Sequence, residues 1–306
     1  MQVSVVVCTY AMDRYEAFTE AVESALAQTY DPVEVVLVVD GNDAVFERVQ
    51  EDFCDVENVV CHNNDENRGI SYSRTKGAEL ASGEIVAMID DDAVAHADWI
   101  AELVAVYEDT DAVAVGGHVR PDWQTEKPDF FPAEFYWLVG CVEPGFAEDG
   151  EEIRNGYGSN ISFRRDVFLD LGGFDTDIGG RQGDENLQGG ETELCARLRE
   201  AYDAGVYYNP DARVAHKAFE YRTDPKWLLD RAFWQGYSKR GMEVLVPEST
   251  GEEYDFLGQL LGEFVPDRAT DLVTAPSREK ALQFVMLFVF TASVGFGYLY
   301  GATKWR

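Results

Sequence analysis

Five runs of apolar, largely β-branched residues punctuate the first 120 positions, each of strand length and the first four each followed by a helix-length stretch. They predict strands at 2–7, 33–39, 56–61, 84–89 and 112–119, with helices at 15–27, 42–52, 70–81 and 97–108. These runs are nearly all apolar rather than alternating, as required of strands whose two faces are both covered by helices. The fold class is therefore α/β, a mostly parallel sheet with flanking helices. After Pro121 the pattern loosens into loops holding Trp123, Phe130, Phe131, Tyr136 and Trp137. A strand at 160–163, a Gly-rich stretch at 172–190 and a helix at 192–204 follow. A strand pair at 206–208 and 213–216 precedes two helices, at 227–242 and 254–264. No internal repeat is visible.

Charge narrows the function. Asp and Glu number 57 against 25 Lys and Arg, a net of −32 over 306 residues, and only seven of the cations are Lys. Such a surface repels nucleic acid. Because the excess runs along the whole chain, it fits a halophile: at ~1 M salt the Debye length is only ~3 Å and self-repulsion largely vanishes. A hydrophobic content of 46% excludes a disordered chain.

Five cysteines, odd in number and without a C-x-x-C pair, argue against a disulfide framework and a zinc site, and fit a reduced cytosolic compartment. Met1-Gln2 runs straight into the first strand without a basic segment, so no signal peptide is read there. At the other end, residues 281–302 are 22 consecutive uncharged positions. As a helix they span about 33 Å, enough for a hydrocarbon core of ~30 Å. Arg278, Lys280, Lys304 and Arg306 against Glu279 give the segment from 278 onward +3, leaving −35 on the rest. A membrane-anchoring helix is expected; a buried core helix is the competing reading, allowed by Gln283, Thr291 and Ser293. Gly297 and Gly301 form a small-xxx-small pair suited to helix pairing, which leaves a homo-oligomer open.

Ligands of open α/β sheets bind at the carboxyl ends of strands. Here those ends carry Thr9-Tyr10, Asp40 and Asp90-Asp91-Asp92, whereas no G-x-G-x-x-G or G-x-x-x-x-G-K follows a strand. Three adjacent carboxylates repel unless a cation neutralises them, and oxygen ligands of this kind suit Mg2+ or Mn2+ completed by substrate phosphates. The triplet behind an apolar strand therefore reads as a metal–diphosphate site, against the plainer reading of a solvated acidic loop.

At these residues the chain resembles family 2 glycosyltransferases. The likeness is carried by Val5-Val6-Val7-Cys8-Thr9-Tyr10, Val38-Val39-Asp40-Gly41, Asn67-Arg68-Gly69 and Ile89-Asp90-Asp91-Asp92-Ala93. It continues through 158–165, Gly172-Gly173-Phe174-Asp175, Gly190-Glu191-Thr192-Glu193-Leu194 and 209–216. The resemblance implies the GT-A fold and inverting transfer from a nucleoside diphosphate sugar. It implies that Thr9 and Tyr10 line the nucleotide pocket, that Asp40 bonds a base, most often uracil, and that Arg68 lies near the nucleotide. Asp90 and Asp92 match the spaced carboxylate pair, with Asp91 between them, Asp92 as direct metal ligand and His216 completing the metal site. The family's Gly-Glu-Asp is altered here, and Glu191 takes the catalytic-base position, with Glu193 as the alternative.

The expectation is a metal-dependent glycosyltransferase with a catalytic domain at 1–220, a helical extension at 221–278 and an anchor at 279–306. It would face the cytoplasm from the cell membrane and act on a dolichol phosphate-linked saccharide for surface-protein N-glycosylation. Rivals are a polyprenyl-phosphate sugar synthase, a polysaccharide or glycolipid glycosyltransferase, and an inactive nucleotide-sugar-binding module.

Overall fold

Val3–Thr9 (β1) is buried at every position, as befits a strand with neighbours on both edges and layers on both faces. Tyr15–Leu26 (α1) leads to Val33–Val39 (β2), and Asp43–Asp52 (α2), capped by the Asn42 side chain on Val45 N–H, leads to Val59–Asn63 (β3). Ile70–Leu80 (α3) returns the chain to Ile85–Asp90 (β4). All these pairings are parallel: β1 lies between β2 and β4, and β3 lies outside β2. Registers Thr9↔Val39 and Cys8↔Asp90 bring the carboxyl ends of β1, β2 and β4 level. Phe18 and Val22 of α1 pack into the core with Val5, Val7, Leu37 and Ile89. Each such fully buried side chain contributes about 1.5–3 kcal/mol of transfer free energy.

The computed structural model describes residues 1–143, 145–179, 181–182, 185–246 and 252–305. Gly180 and Gly183 of the Gly-rich stretch and the terminal Arg306 lie outside them. The remaining strands are Ala93–Ala95 (β5), Ala114–Trp123 (β6), Glu152–Ile153 (β7), Ile161–Arg164 (β8), Arg181–Gln182 (β9), Glu185–Asn186 (β10) and Val206–Ala218 (β11). Between them lie Trp99–Asp109 (α4), Arg165–Asp170 (α5) and Gly190–Tyr202 (α6). The main sheet runs β3-β2-β1-β4-β8-β6-β11-β5, with β7 also on β11, while β9 and β10 form a separate ribbon. It is parallel from β3 to β4 and turns antiparallel at β8, so the sheet is mixed. Asn160 ties its far half together: its Oδ1 accepts Trp99 Nε1–H at 2.8 Å and its Nδ2 donates to Ala212 O at 2.8 Å.

Three expectations are corrected. β3 begins at Val59 rather than 56, because Asn58 (φ 63°) closes a turn before it. The pair at 206–208 and 213–216 is one strand, β11; Asn209 Oδ1 accepts Asp211 N–H at 2.9 Å across Pro210. Finally, Cys54 and Cys61 form a disulfide with Cα atoms 5.8 Å apart, because the chain reverses from the end of α2 into β3 between them. Cys8, Cys141 and Cys195 are free and buried.

The chain divides into two units: Met1–Arg120 with Ala147–Gly180 and Gly190–Lys217, and Pro121–Phe146 with Arg181–Gly189 and Ala218–Arg306. The second is helical: Pro225–Leu245 (α7), Glu252–Gln259 (α8), a π-helical turn at Leu260–Phe264, Val265–Thr274 (α9) and Arg278–Lys304 (α10). Its aromatic core sets Phe131 and Phe135 against Phe290 of α10, with Trp123 edge-on to Phe131. These aromatics therefore pack the unit. Arg268 makes a bidentate pair with Glu134 at 2.7 Å and reaches Gln283 of α10. Among the described residues, α10 is the one helix long and apolar enough to cross a membrane.

Candidate active site

The parallel half of the sheet delivers its carboxyl ends to one place, and each acidic group there is held differently. Asp40, after β2, is buried and faces the start of α3. Its Oδ1 accepts Asn64 Nδ2 at 2.8 Å and Arg68 N–H at 2.9 Å, and its Oδ2 accepts Gly69 N–H at 2.8 Å. A carboxylate at a helix N-terminus also matches the helix dipole. Asp40 thus fixes the 64–69 loop, which leaves a single lone-pair direction for any nucleotide base. Arg68 turns its guanidinium onto Tyr72, 3.7 Å from the ring centroid, and Tyr10 is exposed.

Asp90, Asp91 and Asp92 diverge. Asp91 is buried, accepts Thr9 Oγ1–H at 3.0 Å, and lies 3.3 Å from Arg14 Nη1. Burial, and then the neighbouring Asp92 charge, push its carboxyl up to about 6. Asp92 is placed by β5 against β11: His216 stands opposite Ala93, and Lys217 N–H donates to Asp92 O at 2.8 Å. That register sets His216 Nε2 2.9 Å from Asp92 Oδ1. One ligand atom each from Asp90, Asp92 and His216 falls within 4.8 Å of the others. Two carboxylate oxygens and an imidazole nitrogen form a donor set that suits a divalent cation with open positions for diphosphate oxygens.

Arg74, which the sequence reading missed, links this cluster to α6. Its Nη2 donates to Asp90 at 2.5 Å and its Nη1 to Glu191 Oε1 at 2.8 Å. Burial disfavours its charge, but the two carboxylates outweigh that cost and keep the guanidinium protonated. Gly158 makes the room: a Cβ there would stand 2.3 Å from Glu191 Oε1 and 2.4 Å from Arg74 Nη2. Glu193 has a different environment. Both its oxygens hold Arg197, at 2.5 and 2.6 Å, and Arg197 also donates to Gly173 O at 2.7 Å. Arg14 thus joins Thr9, Asp91, Asp92 and His216 in one network, and Arg74 joins Asp90 and Glu191 in a second. The two meet where Asp90 lies beside Asp92 and His216, while Glu193 clasps the 171–173 turn.

The family model for Glycosyl transferase family 2 matches residues 4–172, more than half of the chain. The chain belongs to glycosyl transferase family 2. Like other members, it is a transferase of sugars. It is 60% identical over 302 residues to the glucosyl-dolichyl phosphate glucuronosyltransferase of Haloferax volcanii, covering 98% of this chain and 96% of that protein. It is 29% identical over 174 residues to the succinoglycan biosynthesis protein ExoM of Rhizobium meliloti, covering 55% of this chain and 50% of that one. Among solved structures, the mannosyltransferase PcManGT of Pyrobaculum calidifontis, in complex with GDP-Man and Mn2+, superposes with a TM-score of 0.59 at 19% identity. That match covers 97% of this chain and 87% of the other. S. aureus TarS in complex with UDP gives 0.55 at 15% identity, covering 97% and 89%. These likenesses establish the GT-A fold for this family 2 glycosyltransferase.

Proposed function

We propose that this glycosyltransferase moves a glucuronosyl residue from a UDP-linked donor to a glucosyl-dolichyl phosphate, at the cytoplasmic face of the cell membrane. The product serves surface-protein N-glycosylation in a salt-loving cell. Identity of 60% along nearly the whole chain to a protein with that donor group and acceptor supports the substrates. The net charge of −32 supports the saline setting. One observation carries the chemistry: Arg74 joins the diphosphate-side carboxylate Asp90 to Glu191 through hydrogen bonds of 2.5 and 2.8 Å.

In this reading residues 1–220 are catalytic, and Thr9, Tyr10, Asp40 and Arg68 form the nucleotide side. Asp90, Asp92 and His216 would hold Mn2+ or Mg2+, whose positive charge stabilises the departing diphosphate. On the acceptor side, Glu191 accepts the proton of the attacking hydroxyl as its oxygen bonds the anomeric carbon. The bond from that carbon to the diphosphate breaks in line, so configuration inverts. Arg74 orients the base by fixing one of its oxygens.

The test is the dolichyl-linked saccharide pool of a strain lacking the gene. Mass spectrometry should find glucosyl-dolichyl phosphate accumulating without its uronic acid. Loss of glucosyl-dolichyl phosphate itself would instead favour a polyprenyl-phosphate sugar synthase, and an unchanged pool would remove the enzyme from this pathway.

A further inference from the structure

Helix α10 is apolar on all sides, yet the described residues cover only one of them. Its buried positions, Gln283, Leu287, Phe290, Gly297 and Gly301, recur at spacings of three, four and seven and form one stripe. On the opposite side Val285, Phe288, Val289, Phe296, Leu299 and Tyr300 are exposed, Phe296 and Leu299 by 67% and 63%. No charge interrupts that face between Lys280 and Lys304.

The covered face is pressed against α7, which runs in the same direction. A Cβ on Gly297 would lie 1.8 Å from Phe233 O, and one on Gly236 1.9 Å from Val294 O, so only glycine permits this approach. Ser293 Oγ–H donates to Leu229 O at 2.8 Å, and Tyr298 O–H to Glu243 at 2.7 Å. The Gly297–Gly301 pair is therefore used within the chain. Helix α7 carries six charged residues among its 21, including Arg240 at Gly301 and Glu243 at Tyr298. Were α10 to cross a bilayer, its bonded partner would be carried into the hydrocarbon with those charges, where polar groups must be satisfied internally and ionised ones are costly.

We propose that α10 does not cross the membrane but lies along its surface, with the Val285–Tyr300 face seated in the lipid. The purpose of this seat rests on the lipid-linked acceptor proposed above. The occupant is a bilayer with anionic headgroups. Segment 278–306 carries +3 on a chain otherwise at −35, and its cations sit at both ends of the apolar face. A second copy fits less well, since two such faces would set cation against cation in either orientation.

Two measurements on the full chain test the seat. In flotation with vesicles of phosphatidylcholine and phosphatidylglycerol, the double variant Phe296→Ser, Leu299→Ser should lose about a hundredfold in partitioning. UDP binding and transfer to detergent-dispersed acceptor should stay unchanged. Wild-type protein that stays off vesicles, or sediments as a dimer that the double variant dissolves, overturns the proposal. In sealed inverted membrane vesicles, a membrane-impermeant maleimide should label Arg278→Cys and Thr303→Cys alike without detergent, because the native free cysteines are buried. Labelling of one only, or of neither before detergent is added, overturns it. Vesicle binding without transfer in detergent would refute the acceptor reading alone.

Discussion

Arg74 and Glu191, 117 residues apart in the chain, meet through a hydrogen bond of 2.8 Å, and the same guanidinium holds Asp90 on its other nitrogen. The donor-side carboxylate Asp90 and the proposed base are therefore mechanically connected by one planar group.

Arg74→Lys should lower transfer about 10²-fold, since a point charge cannot span both carboxylates. Gly158→Ala should move activity in the same direction, because its Cβ would collide with both partners. Steady-state kinetics at saturating donor provides the check. An Arg74→Lys enzyme at full rate would remove the link from the mechanism.

Glu191→Gln should retain UDP binding and lose ~10²-fold or more in transfer, as expected for removal of a general base. Glu193→Gln should do the reverse: near-normal transfer, with stability reduced by about 1–3 kcal/mol as the clasp on Arg197 weakens. Denaturant titration and kinetics on the two variants separate the roles, and an exchange of the two outcomes would reassign the base to Glu193.

Much of this site is legible in the sequence, for physical reasons. β1, β2 and β4 are covered on both faces, so their residues are nearly all apolar and the acids at their ends stand out. Arg74 is not legible, because arginine on a helix ordinarily reads as a solvated residue. The sole local hint is its company of small buried neighbours, Ser71, Ser73, Gly77 and Ala78, which leave space for a large polar group. Helix α10 hides its packing for the opposite reason. Its covered and uncovered faces are equally apolar, so only the contacts of Gly236 and Gly297 reveal which side meets α7. The Cys54–Cys61 pair depends on the turn at Asn58, which composition does not report.

Gly297→Leu should destabilise the helical unit by about 3 kcal/mol, because α7 and α10 must separate to admit the side chain. Chemical denaturation followed by tryptophan fluorescence reports it through Trp227 and Trp234 of α7. An unaffected transition would mean that the two helices are not in contact.

Thiol counting tests the cysteine assignment. Burial pushes the Cys195 thiol up to about 12 and raises Cys8 further, so near pH 8 both stay protonated and unreactive in the folded chain. Maleimide should label none of the cysteines natively, three after denaturation without reductant, and five after reduction. Five labels without reductant would exclude the disulfide.

Transfer by purified protein decides most. UDP-glucuronate, glucosyl-dolichyl phosphate and Mn2+ should yield a lipid heavier by one glucuronosyl group, and EDTA or Asp92→Asn should abolish it by stripping the cation or one of its ligands. Equal product in EDTA and in Mn2+, or UDP release with no gain of mass on the lipid, would contradict the assignment.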